Sequence, residues 1–251
     1  MMNEVYVITG ASSDIGMAFL QRLQDRCSMH VHKCDIHAQY FSSDTALRSL
    51  GENCHSLNLK LYQCNLSDLA AVDTWLASLQ QDGVRPTHIL HLAAPKFNYM
   101  RLKQLDMRRM QENINVNAGT MALMLKYFLP GMAKRKFGRV VAMLTAYTIN
   151  VPPKFMCDYV TAKYALLGLI RSAASEYAGK GITINGVSPN MMETKFLSNL
   201  DERSIEMSRE ASAMKRNIKL DEVCAALEYL LSAQAGYVNG INMNLSGGDR
   251  M

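Results

Sequence analysis

The run Val5-Tyr6-Val7-Ile8-Thr9-Gly10-Ala11-Ser12-Ser13-Asp14-Ile15-Gly16 decides how this chain folds. Its first four residues are a short apolar stretch that fits a strand buried on both faces. A turn of small residues follows, then an amphipathic stretch with Ala18, Phe19, Leu20 and Leu23, ending near Arg26. Strand, small-residue turn and helix in that order make an anion site. The turn lets backbone approach a pyrophosphate, and the free N–H groups and dipole of the helix start attract it.

Working outward, residues 29–35 read as a second strand ending in a carboxylate. Asp35 lies 25 positions after Gly10, the distance at which an acid meets the hydroxyls of an adenosine ribose. A carboxylate there accepts from the 2′-OH and repels a 2′-phosphate, so NAD(H) is favoured. Lys33 nearby weakens that preference and leaves NADP(H) open. Leu57, Leu59 and Leu61 alternate into a third strand, with Asn65 and Leu66 at its carboxyl end where an adenine would rest. Ser67 or Asp68 caps a helix that runs to about residue 81.

Four further strands are expected at 89–94, 138–145, 183–187 and 241–245. Helices are expected at 100–113, 117–133, 158–178 and 221–232. Strands alternating with helices argue for an α/β fold, a doubly wound parallel sheet of about seven strands with helices on both faces. No linker, repeat or low-complexity stretch interrupts residues 1–251, which read as a single domain. Residues 191–218 are Met-rich and charged and suit a substrate lid.

Composition narrows the function classes. The chain has 251 residues, is 49% hydrophobic and carries a formal net charge of +5. Its densest basic cluster, Lys134-Arg135-Lys136, is short and precedes a strand, so no nucleic-acid partner is expected. Six cysteines occur without a C-x-x-C pair. No charged leader, apolar h-region or long apolar span is present, so a soluble, cytoplasmic protein with free thiols and no membrane partner is expected. His30, His32 and His37 lack the carboxylates or thiols of a metal cluster, and no metal is expected.

The chemistry centres on Tyr159-Val160-Thr161-Ala162-Lys163. On a helix, residues four apart share a face, which puts the phenol and the ammonium a turn apart. A free phenol titrates at about 10. A neighbouring cation lowers that value and makes an acid/base for exchange with an alcohol or ketone.

Together, Thr9-Gly10…Gly16, Asp35, Asn65-Leu66, Asn117, Tyr159…Lys163, Asn185…Pro189…Thr194 and Gly247-Gly248 resemble the short-chain dehydrogenase/reductase family, in its short single-domain branch. The resemblance implies a Rossmann-type fold and hydride transfer at a nicotinamide coupled to proton transfer. It implies Tyr159 as general acid/base, Lys163 lowering its pKa and bonding the nicotinamide ribose, and Asn117 holding a relay water. Gly10, Ser12, Ser13, Ile15 and Gly16 would line the pyrophosphate turn. Asn65, Leu66, Ala93, Pro189, Met192 and Thr194 would complete the cofactor site, with Thr194 on the carboxamide. A homodimer or homotetramer, built through helices around 100–133 and 158–178 and the last strand, is the assembly implied.

Four positions depart from the family pattern. Asp14 replaces the middle glycine of T-G-x-x-x-G-x-G and is expected to turn outward. His91-Leu92-Ala93-Ala94 replaces Asn-Asn-Ala-Gly. The catalytic serine has no serine here: one count reaches Thr145, another Ala146, and Thr145 is preferred because its hydroxyl can donate. Pro189-Asn190 replaces Pro-Gly, with Asn tolerating a left-handed backbone. The leading expectation is an NAD(P)(H)-dependent oxidoreductase that interconverts a secondary alcohol and a ketone. Among family members the general resemblance is to 3-oxoacyl-carrier-protein reductases, with Lys136 and Lys180 where those enzymes meet an acidic carrier. Alternatives are a dinucleotide-sensing protein of the same fold with weak turnover and a sugar-nucleotide-modifying enzyme.

Overall fold

A computed structural model describes residues 3–29, 33–199 and 201–249. Seven strands form one sheet: β1 (Glu4–Thr9), β2 (Cys34–Tyr40), β3 (Leu57–Gln63), β4 (His88–His91), β5 (Gly138–Met143), β6 (Ile182–Pro189) and β7 (Asn242–Leu245). Their order is β3-β2-β1-β4-β5-β6-β7, and every neighbouring pair is parallel. Parallel strands need crossovers, and helices supply them on both faces.

Alternation along each strand divides the core. On β1, Ile8 packs with α1 (Asp14–Met29), α2 (Thr45–Asn53) and α8 (Leu220–Leu231), while Val7 packs with α3 (Leu69–Gln81), α5 (Thr120–Arg135) and α6 (Cys157–Glu176). On β5, Val141 belongs to the first layer, and Val140 and Ala142 to the second. Buried on both sides, the strands leave function to their ends. The strand order reverses between β1 and β4, so the crevice opens beyond their carboxyl ends.

Several boundaries differ from expectation. The second strand is Cys34–Tyr40 rather than 29–35, because α1 continues to Met29; residues 30–32, with His30 and His32, lie outside the described residues. Asp35 is therefore the second residue of β2, at the amino end of the sheet. Helix α2 was not expected: it is short, and only Leu47 and Leu50 are buried. The expected helix at 100–113 contracts to α4 (Met107–Ile114), capped by the Asp106 carboxylate on the Arg108 N–H at 2.9 Å. A π-helical turn, Asn115–Gly119, joins α4 to α5. The expected lid comprises a 3₁₀ turn, Lys195–Leu197, and α7 (Glu202–Ala211). Among the described residues, no helix is long and apolar enough to cross a membrane.

Candidate active site

The turn after β1 works only with glycine at two positions. Gly10 has φ +69°, and a Cβ there would lie 2.8 Å from the Ala93 nitrogen. At Gly16 a Cβ would lie 2.5 Å from the Ala11 carbonyl oxygen, so glycine lets α1 start against the turn. The Ser13 hydroxyl donates to the Gly10 carbonyl (2.7 Å) and accepts from the Gly16 N–H (3.2 Å). Ser13 thereby stiffens the turn from inside, leaving the start of α1 open toward the crevice.

A groove of about 750 Å³ occupies that crevice. It gathers Gly10, Ser12, Ser13 and Ile15 from the turn, Asn65 and Leu66 from beyond β3, Ala93, Thr145, Tyr159, Lys163, and Pro189, Met192 and Thr194. Of the expected cofactor residues, Gly16 lies behind this lining and Asp35 is elsewhere. Asp35 accepts from Asn3 (2.7 Å) and Asn58 (2.9 Å), beside a separate polar cavity that it shares with His37, Lys60 and Asp82. Its expected place is taken by Gln39, Phe41 and Ser42. Gln39 is buried, accepts from the Gly10 N–H at 2.9 Å and donates to the Cys64 carbonyl at 2.7 Å. Such internal bonds let polar residues sit inside a strand and hide it from a periodicity reading. Asp35 therefore cannot discriminate NAD from NADP. The glycine cradle and the open helix start nevertheless suit a dinucleotide.

Asp14, expected to turn outward, lines the groove instead. Its carboxylate accepts from the Lys195 backbone N–H at 2.6 Å, and the Lys195 ammonium lies 3.7 Å away. The residue that replaces a glycine thus ties the start of α1 to the loop after β6. Thr194, one residue back, stands at the start of the 3₁₀ turn. Asn190 does not take the left-handed backbone expected of it; among the described residues the non-glycine ones with positive φ are Lys136, Phe155 and Lys215. Of the lid methionines, Met191 and Met192 line the groove, whereas Met207 and Met214 are exposed.

At the groove floor, the segment just after β5 delivers Thr145 and the first turns of α6 deliver Tyr159 and Lys163. Burial pushes the Tyr159 phenol up, and its hydrogen bond with the Thr145 hydroxyl pulls it back down. Thr145 lines the groove with Tyr159, whereas Ala146 is buried and does not. The Lys163 ammonium is almost wholly buried, donates to the Met143 carbonyl at 2.8 Å and lies 5.8 Å from the Tyr159 ring centre. Burial lowers its pKa to about 7. Here desolvation of both groups outweighs the expected lowering of the phenol by the cation.

Asn117 sits in the π-helical turn, where its amide donates to the Asn113 carbonyl at 2.9 Å and its Oδ1 is buried with no partner. His91 is also buried. Its Nδ1 pairs with the Thr9 hydroxyl at 2.6 Å, and burial with the Lys163 charge nearby, set against the backbone of Val116 and Asn117, holds it neutral, with a pKa of about 3. Sequence reasoning missed Asp158, a fully buried carboxylate that pairs with Arg109 (3.0 Å) and accepts from Asn113 (3.2 Å). Its signal was its place beside Tyr159, but its partners are about 45 residues upstream.

The expected carrier-binding lysines do not adjoin the groove. Lys136 precedes β5 and Lys180 precedes β6, both at the amino edge of the sheet, where the Lys136 carbonyl occupies the space a Cβ at Gly181 would need.

Comparison with known proteins agrees with this arrangement. A family model described as enoyl-(acyl carrier protein) reductase matches residues 10–249. Nodulation protein G of Azospirillum brasilense is 26% identical, over 99% of this chain and 98% of that protein. The 3-oxoacyl-(acyl-carrier-protein) reductase of Vibrio harveyi is 25% identical, over 98% of this chain and 96% of its own. Levodione reductase superposes with a TM-score of 0.84 at 23% identity, over 98% of this chain and 96% of that one. A 4-hydroxyisoleucine dehydrogenase complexed with NADH gives 0.85 at 21%, over 98% of both. A match of this extent, on a crevice built in this way, makes the chain a member of the short-chain dehydrogenase/reductase family, an oxidoreductase family dependent on a nicotinamide dinucleotide.

Proposed function

We propose that the protein interconverts a secondary alcohol and a ketone. The observation that carries this reading is that Thr145, Tyr159 and Lys163 converge on one groove, with Lys163 one helical turn beyond Tyr159 and its ammonium 5.8 Å from the phenol ring centre. Two hydroxyls converging from different elements can hold one carbonyl oxygen between them. Thr145 donates to that oxygen, and Tyr159 gives it the proton that completes the alcohol, or removes it in the reverse direction.

Gly10, Ser12 and Ile15 would hold the pyrophosphate of the dinucleotide, Asn65 and Leu66 the adenine, and Thr194 the carboxamide. When bound, the nicotinamide supplies or accepts the hydride. Asn117 would hold a relay water through its unpartnered Oδ1, and Lys163 would bond the nicotinamide ribose. With Gln39, Phe41 and Ser42 at the end of β2, this wall carries no charge that selects between NAD and NADP. The relatives named for 3-oxoacyl reduction make a carrier-bound ketone one candidate substrate. The carrier would have to approach by a surface other than Lys136 and Lys180. A homodimer or homotetramer remains the assembly this reading favours.

The test is oxidation of NADH and NADPH with a panel of ketones. Tyr159→Phe is expected to abolish turnover, by about 10²–10⁴-fold, while cofactor fluorescence still reports binding. Thr145→Ala is expected to lower the rate by about 10²-fold, the usual worth of one donor to a developing oxyanion. An unchanged rate in Tyr159→Phe would sink the mechanism. Cofactor binding with no turnover of any carbonyl would favour a dinucleotide sensor instead.

A further inference from the structure

We infer that the substrate is an uncharged ketone carrying a ring or branched hydrocarbon beside its carbonyl, resting against the aromatic cluster that Phe97 and Phe196 form with Tyr159; this rests on the ketone reading above. Phe97 comes from the stretch after β4 and is only 5% exposed. Its ring meets that of Tyr159 edge-on, with centroids 5.4 Å apart and planes at 84°. Phe196 comes from the loop after β6, 6.2 Å from Phe97 and 6.1 Å from Tyr159, tilted at about 45° to both. Tyr99 closes on the outer edge of Phe97 at 5.1 Å. Buried Met156 and Val160 pack beneath the same cluster. Loops from opposite sides of the crevice thus place carbon around the catalytic phenol.

Charge in the lining points the same way. Of its lysines, Lys163 is committed to the Met143 carbonyl, and Lys195 leans on Asp14 with its side chain 92% exposed. Lys96 is exposed at the rim. No buried cation therefore faces the aromatic cluster to receive a carboxylate or phosphate. An unpaired anion among the rings would lose its hydration without compensation. A polyol would fare little better, since Thr145 and Tyr159 are already assigned to the reacting oxygen and the phenylalanine rings accept no hydrogen bonds from its other hydroxyls. A hydrocarbon ring laid on this cluster exchanges water for aromatic surface and loses no hydrogen bond.

The test compares kcat/KM for 4-methylcyclohexanone and α-tetralone with acetoacetyl-N-acetylcysteamine, pyruvate and fructose, using the full chain with NADH and NADPH. The ring ketones are expected to lead by about tenfold or more. Phe97→Ala and Phe196→Ala are expected to raise KM for them by roughly three- to tenfold, the worth of one aromatic contact. The Kd for NADH should stay within about twofold, because uniform binding is what a remote pocket wall supplies. Phe97→Leu, which keeps apolar volume, should recover part of the loss and guards against misfolding of the alanine variant. Benzamide, a ring-bearing carbonyl that is not reduced, should quench the fluorescence of enzyme-bound NADH in the wild type and less in Phe196→Ala. Preference for the thioester, pyruvate or fructose, or unchanged KM in both alanine variants, overturns this inference and leaves ketone reduction standing. Failure of every carbonyl while NADH binds overturns both.

Discussion

Lys163 shows what the site costs the fold. An ammonium titrates near 10.4 in water, and burial brings this one to about 7. A lysine whose folded value is depressed binds fewer protons folded than unfolded between those two pH values. Stability therefore rises with pH from about 7 toward 10, and below about 7 the burial cost stands in full. Lys163→Met has no such term. Its stability relative to the wild type is expected to be most favourable at pH 7 and to decline by up to about 1.4 kcal/mol per pH unit toward pH 10, read from urea midpoints, while turnover is lost. Parallel pH profiles would show that Lys163 titrates as an ordinary lysine. The pair Tyr159–Lys163 was legible in the sequence because helical spacing alone brings its members together. Asp35 misled because distance along the chain was taken for position in space: the count from Gly10 holds, but α1 runs on to Met29 and shifts β2 by several residues.

Between elements, two contacts invisible to periodicity hold the site, because each joins residues far apart in the chain. Asp158 on α6 takes Arg109 and Asn113 from α4, and the Asn113 carbonyl in turn holds the Asn117 amide. Asp158→Ala is expected to cost about 2–3 kcal/mol, less than a wholly buried pair because Arg109 keeps some solvent contact, and to lower kcat by releasing Asn117. Thermal unfolding with steady-state kinetics would show both; loss of stability with kcat unaltered would mean that Asn117 needs no such support. The second contact is Asp14 with Lys195. Asp14→Ala removes a carboxylate from the pyrophosphate turn and frees the loop that carries Thr194 and Phe196. NADH should bind more tightly, KM for the ketone should rise, and limited proteolysis should cut more readily between 190 and 199. An unaltered cleavage pattern would show that the loop is held by something else. Longer elements with apolar alternation, such as β3, β5 and α6, were readable; α2, with two buried leucines, carries too little pattern to be seen.

At the scale of the whole molecule, the reversal of strand order between β1 and β4 fixes where the dinucleotide lies, and the length of β2 fixes which side chains meet its adenosine end. Because β2 runs to Tyr40, that end faces Phe41 and Ser42, which are neutral. Binding stabilises a fold by an amount that grows with ligand concentration over Kd, about 2.7 kcal/mol at a hundredfold excess. Without a charge to accept or reject a 2′-phosphate, NADH and NADPH are expected to raise Tm alike and to differ in Kd by less than about tenfold, or 1.4 kcal/mol. Ser42→Asp places a carboxylate on this wall. It should erase the NADPH-induced rise in Tm and preserve that from NADH, since like charges held close repel while the free ribose hydroxyl can still donate. Strong discrimination by the wild type, or equal Tm shifts in Ser42→Asp, would place the adenosine ribose against a different wall and return the question to the register of β2.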